Sequence, residues 1–214
     1  QTFASIPKMI ERLKEINCTA AGIVDTNSTW GHVKWFDACK AAGIQPLLGV
    51  ELTVAETEDF LPKMWFLAQN EEGLRETYRL SSRAHSTPVL TRRGSIPRLY
   101  PSDVLGISPN ILVFAGEITD GAFLKAANAI VDLNPSSRVL NMKKKAVAAE
   151  HGLRIVSTAD NSFVRKEDAP IYELMSRGGM KPTPQFVLDN LEHQDVAEEI
   201  AASCSELKLP VAPM

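Results

Sequence analysis

The chain carries several short runs of apolar residues that do not alternate with polar ones, and this constrains its fold more than any other feature. The runs fall at residues 21–24, 44–54, 64–68, 111–115 and 153–158. A strand that is apolar on both faces must be covered on both faces, which is the condition of a parallel sheet sandwiched by helices. Amphipathic segments separate the runs. Ile6, Met9, Ile10, Leu13 and Ile16 form one stripe at three- and four-residue spacing, the signature of a helix with one buried face. A second expected helix carries Val33, Phe36, Ala38 and Cys39, with Asn27, Ser28 and Thr29 as candidate caps and Gly43 as its stop. Further helices are expected at residues 71–84, 120–133, 142–150 and 194–206. Strands alternating with helices predict an α/β domain of mostly parallel strands covered by helices.

With 214 residues, 44% hydrophobic and 23% charged, the chain can bury one sizeable core, so a single domain over 1–214 is expected and wholesale disorder is excluded. No apolar run approaches the roughly 20 residues of a membrane-crossing helix, and no membrane association is expected. Cys18, Cys39 and Cys204 are odd in number and lack a CxxC spacing, which points to packing in a reducing cytoplasm. Gln1 is no natural initiator and no signal peptide is legible, so the N-terminus is expected to be incomplete; Pro210 and Pro213 are expected to open a linker. The net charge of -3 gives little grip on phosphate backbones, so any DNA contact is expected to be weak. The run Lys143-Lys144-Lys145 lies in a helical pattern and reads as a solvated helix face.

Acids fall near the ends of the apolar runs, at Asp25, Glu51, Glu117 and Asp160. Carboxylates converging at one end of a sheet suit Mg²⁺ or Mn²⁺ and hence phosphoester chemistry; spacing alone favours helix caps and ion pairs. His32, His85, His151 and His193 all fall in helices or at helix ends, where surface or capping roles are expected. No Ser-His-Asp pattern and no glycine-rich phosphate loop occurs.

The order of these residues resembles one family. Ile23-Val24-Asp25-Thr26-Asn27-Ser28 through Gly31, then Ala41-Ala42-Gly43-Ile44-Gln45-Pro46-Leu47-Leu48-Gly49-Val50-Glu51, is similar to the opening of the PHP (polymerase and histidinol phosphatase) domain, in the version that begins the alpha subunit of bacterial DNA polymerase III. The likeness continues through Phe66-Leu67-Ala68-Gln69-Asn70-Glu71-Glu72-Gly73, Leu80-Ser81-Ser82-Arg83-Ala84, Ile155-Val156-Ser157-Thr158-Ala159-Asp160-Asn161-Ser162-Phe163 and Ala197-Glu198-Glu199-Ile200-Ala201.

The resemblance implies a distorted seven-stranded (β/α)7 barrel whose family holds up to three metal ions on His, Asp, Glu and Cys ligands for phosphoester hydrolysis, in some members as a proofreading exonuclease. This chain departs from that pattern. Thr26 stands where the family has a ligand His, Lys63 where it has the next His, Glu117 where it has Cys or His, and Asp160-Asn161-Ser162 where it has Asp-x-His. Glu51 and Asp160 are thus the remnant ligand positions, expected to hold no metal, with Asp25, Lys63 and Glu117 lining the same site; Lys63 is expected to neutralise the remaining acids as a buried ion pair. No catalytic residue and no cofactor are expected, Mg, Mn or Zn being the alternative. The expectation is a degenerate, catalytically inactive PHP domain of a replicative polymerase alpha subunit, supporting the polymerase body of the same chain and offering a docking surface to a proofreading exonuclease subunit. The parent chain, not this domain, would be the DNA-directed DNA polymerase. The alternative is a metal-dependent phosphoesterase or 3′-5′ exonuclease, active through a His-x-His upstream of Gln1.

Overall fold

The computed structural model describes residues 5–92, 94–117, 120–133, 138–158, 164–168, 170 and 194–210. It is organised on one sheet of seven strands. The chain runs α1 (Ile6–Glu15), β1 (Ala20–Thr26), α2 (His32–Ala42), β2 (Gln45–Val54), β3 (Lys63–Ala68), α3 (Glu71–Ser86), a small hairpin β4 (Val89–Thr91) and β5 (Gly94–Ile96), β6 (Arg98–Leu99), α4 (Pro101–Leu105), β7 (Ile111–Ala115), α5 (Gly121–Ala126), β8 (Ile130–Leu133), α6 (Arg138–His151), β9 (Ile155–Ser157) and α7 (Gln194–Ser203). The main sheet is ordered β1-β2-β3-β7-β8-β9, with β6 added to the end of β2. Among the described residues β1 and β9 are its two edges, so the curled sheet is an open half-barrel.

The α/β class and the largely parallel sheet agree with the expectation from sequence, with one exception in strand direction. Strand β3 runs antiparallel to both β2 and β7, while β1 pairs β2, β7 pairs β8 and β8 pairs β9 in parallel. A short connection, residues 55–62, joins β2 to β3, too short for the helical crossover that a parallel neighbour requires.

Alternation along β2 divides the molecule into two faces. Leu48, Val50, Leu52 and Val54 point to the helices, joining clusters that include Trp35, Cys39, Leu74, Leu80, Leu124 and Ala148. Ile6, Met9, Ile10 and Leu13 of the α1 stripe pack there as their spacing predicts, whereas Ile16, just past the end of α1, is 52% exposed. Leu47 points inward, where Leu67, Phe114, Ile130 and Val156 are covered by Ile200 and Cys204 on and just after α7. The final helix therefore fills the inner face toward the strand starts, and the polar residues are left at the other end.

The family-like stretches have plain structural causes. Gly43 ends α2 with φ 71°, as expected. At Gly49 a Cβ would lie 2.8 Å from the carbonyl oxygen of Phe66, and at Gly73 only 2.0 Å from that of Asn110. Asn70 caps α3 by accepting from the Gly73 amide at 3.0 Å while donating to Asn110 Oδ1 at 2.8 Å.

Three expectations are corrected. Residues 120–133 are not one helix: α5 ends at Ala126, Asn128 turns the chain with φ 49°, and Ile130–Leu133 is strand β8. The tetrapeptide Ile130-Val131-Asp132-Leu133 pairs on both sides, with β7 and β9, so tertiary pairing overrides the helical propensity of the alanines. The lysine run is a solvated face only in part: Lys143 is exposed, but Lys144 is 1% exposed. His32 is no surface histidine: it is buried, with Nε2 2.9 Å from the carbonyl oxygen of Gly49 and Nδ1 3.4 Å from the Tyr78 hydroxyl, and burial lowers its pKa.

Candidate functional site

The strand register places Thr26 opposite Glu51 and Glu51 opposite Trp65, with Lys63 opposite Thr53 on the same side of the sheet. Cross-strand neighbours share a face, and their polar groups meet. Lys63 Nζ lies 2.7 Å from Glu51 Oε1, and Thr26 Oγ1 donates to the same oxygen at 2.8 Å. The Lys63 amide donates to Glu117 Oε2 at 3.2 Å. Three of the residues singled out from sequence, Glu51, Lys63 and Glu117, are therefore brought together. The pair is not buried as expected: the side chains of Lys63 and Glu51 are 45% and 24% exposed, because they stand at the open rim of the sheet.

Asp25 goes elsewhere. Its register partner is Val50, which puts it on the helix-covered face, and its Oδ2 accepts from the Gly31 amide at 3.0 Å. It steadies the loop leading into α2, the role anticipated for Asn27, Ser28 and Thr29; α2 itself has no side-chain cap. Asp160, with Asn161 and Ser162, lies outside the described residues.

The structure adds two residues that sequence reasoning missed. Asp132 follows Ile130 by two positions on β8 and so shares the inner face with Glu51; it is 5% exposed, and its Oδ1 accepts from the Thr158 amide at 2.9 Å. Lys144 comes from α6, and its Nζ donates to the main-chain carbonyl of Asp132 at 2.5 Å. Burial pushes the Asp132 carboxyl up to about 7, against the pull of Thr158 and Lys144. Burial also lowers the Lys144 ammonium pKa, offset by Asp132 and then Glu117. Both shifts follow from taking charge out of water. Asp132 was hidden inside the misassigned helix and Lys144 inside a run of three lysines; the one signal that could have found Asp132 is the turn-forming Asn128 ahead of a β-rich tetrapeptide, and nothing in the lysine run marks Lys144.

The arrangement is a row of alternating charges across the end of the sheet, Glu51, Lys63, Glu117, Lys144 and Asp132. Glu51 Oε1 already accepts from an ammonium and a hydroxyl, and a dication at that oxygen would face the Lys63 charge at contact distance. Among the described residues no group of three or more His, Cys, Asp or Glu is placed to hold a metal ion.

The PHP domain family model matches residues 2–128, more than half the chain. The chain belongs to the PHP domain family. It is 30% identical over 199 residues to the DNA polymerase III subunit alpha of Halalkalibacterium halodurans, covering 91% of this chain and 16% of that one. To the DNA polymerase III subunit alpha of Bacillus subtilis it is 21% identical over 190 residues, covering 80% and 17%. The chain thus spans about a sixth of the length of these relatives. In fold, this PHP domain is similar to a Bifidobacterium adolescentis protein described as a metal-dependent phosphoesterase (TM-score 0.58, 15% identity, 95% and 92% of the two chains). It is also similar to an amidohydrolase from Chromobacterium violaceum (TM-score 0.55, 14% identity, 96% and 93%). No helix among the described residues is long and apolar enough to cross a membrane.

Proposed function

We propose that this PHP domain is catalytically silent and serves as a structural and docking module of a DNA polymerase III alpha-type chain. The observation that carries the reading is the Lys63 ammonium on Glu51 at 2.7 Å, at a position where the family resemblance calls for a ligand histidine. A lysine held against the remaining acid supplies the positive charge of a metal without its open coordination positions, so there is no Lewis acid and no activated water. Thr26 in place of a second ligand histidine removes another donor and instead adds a hydroxyl to the same carboxylate. What remains useful is the scaffold: a sheet filled from within by α7 and backed by helices, able to present a fixed surface to the polymerase body and to a proofreading exonuclease subunit.

The test is a hydrolysis assay of the chain as its full open reading frame encodes it, on a generic phosphomonoester and on a 3′-end-labelled single strand, with Mn²⁺ or Zn²⁺ supplied in excess. No turnover above a metal-only control is expected. Metal-dependent release of phosphate or of 3′ nucleotides that is abolished by Glu51→Gln would overturn the reading in favour of the phosphoesterase or exonuclease alternative.

A further inference from the structure

Lys144 is the most buried ammonium-bearing side chain described, and nothing in the rim pair explains it. Its stem leaves α6 on the helix-covered side of the sheet and passes a cavity of about 10 Å³ lined by Ala115, Leu124, Val131 and Val147 together with Glu117. Its head reaches the main-chain carbonyl of Asp132 and lies within electrostatic reach of the Asp132 and Glu117 carboxylates. An apolar sleeve ending in a carbonyl, with two acids within electrostatic reach, has the polarity of a receptor for a primary alkylammonium ion, and here the chain supplies that ion itself.

We infer that Lys144 is a fixed internal cation filling a built ammonium socket between α6, β8 and the end of β7, and that cutting the side chain back turns this socket into a binding site for small primary ammonium ions. The socket is selective by construction. A divalent ion asks for six or more oxygen ligands, whereas here one carbonyl meets the ammonium directly, the two acids act only through their field, and the rest of the lining apart from Glu117 is hydrocarbon. A neutral alcohol of the same length could fill the sleeve and leave the acids uncompensated. In the intact chain a cavity of about 10 Å³ is at the lower limit for a single water, so no added amine can enter while Lys144 is in place. The inference stands whether or not the Glu51 end of the row binds metal, and its failure would leave the reading of the rim untouched.

The experiment is thermal unfolding of the wild-type chain and of Lys144→Ala, each with n-propylammonium chloride, which restores the three methylenes and the ammonium that the substitution removes. Propanol, tetramethylammonium chloride and MgCl₂ serve as comparisons. Lys144→Ala is expected to lose on the order of 10 °C in Tm, and propylammonium is expected to return several degrees in a saturable way, with no such rise in wild type or with the three comparison solutes. Equal responses of variant and wild type to propylammonium would overturn the inference. If Lys144→Ala does not fold, Lys144→Met is compared with the double variant Lys144→Met, Asp132→Asn. A higher Tm for the double variant supports a cation socket built around Asp132, and an equal or lower one overturns it.

Discussion

Two lysines lie at the same end of this sheet, each associated with an acid, and they differ in almost everything else. Lys63 meets Glu51 carboxylate to ammonium at 2.7 Å, in a pair that is 45% and 24% exposed. Lys144 is 1% exposed and bonds to the main chain of Asp132, itself 5% exposed. The first pair has the better salt-bridge geometry and the second the greater energetic weight. Water screens a rim pair and leaves it worth about 0–1 kcal/mol, whereas a buried charge deprived of its partner costs about 3–5 kcal/mol. Close contact is therefore a poor guide to which lysine the fold depends on.

The largest effect is expected from Lys144→Met, a swap of similar length that removes the charge and the hydrogen bond to the Asp132 carbonyl. It should cost about 3–5 kcal/mol at pH 8, measured by denaturant unfolding, and less near pH 5, where the stranded Asp132 carboxyl can take up a proton. A cost below about 1 kcal/mol at both pH values would place Lys144 with the rim pair and dissolve the contrast.

An intermediate effect is expected from Asp132→Asn, read as a pH profile. In the folded chain this carboxyl titrates at about 7 against an ordinary value of 3.8, so between those values the folded state binds a proton that the unfolded state has released. Its contribution to stability must then fall as pH rises from about 4 to 7. The Lys144 shift, downward, acts at the other end of the scale: the cost of keeping that ammonium charged in the fold is present below its lowered pKa and is relieved as pH rises through it. Subtracting the Asp132→Asn profile from wild type should isolate a decline of the order of 1 kcal/mol or more across pH 4–7. A flat difference would mean that Asp132 is ionised throughout.

The smallest effect is expected from Lys63→Met, at most about 1 kcal/mol and shrinking with added salt. A loss of about 3 kcal/mol that salt does not change would instead match a buried pair, as first expected from sequence.

How much of this was legible in the sequence depends on what each residue's role rests on. The apolar runs and the α1 stripe translate directly into strands and a helix because burial is set by periodicity. Gly43 is legible as punctuation because backbone geometry admits few other residues there. Glu51 and Glu117 could be named because they sit near the ends of recognisable strands, and Lys63 only because it stands where the resembled family has a ligand histidine. The antiparallel turn of β3 is not carried by the strand itself, since an apolar strand looks alike in either direction; it lies in the short 55–62 connection, whose length was not used. Asp132 and Lys144 were hidden for a related reason: alanines before Asn128 favour helix locally, and a lysine among lysines carries no mark of burial. Both were decided by long-range packing of β8 between β7 and β9. Asp25 was read as an acid at a strand end, but whether its side chain faces the site or a helix turns on a register of one residue.

The claim at the centre of this account is that the acids at the end of the sheet are neutralised by the chain's own lysines and hold no metal. The most direct test is elemental analysis of the purified 214-residue chain, followed by calorimetric titration of the chelator-treated protein with Mn²⁺ and Zn²⁺ at neutral pH. The account predicts no stoichiometric metal as purified and no saturable binding in the titration. Two or three ions retained per chain, or tight binding that is lost in Glu51→Gln, would contradict it.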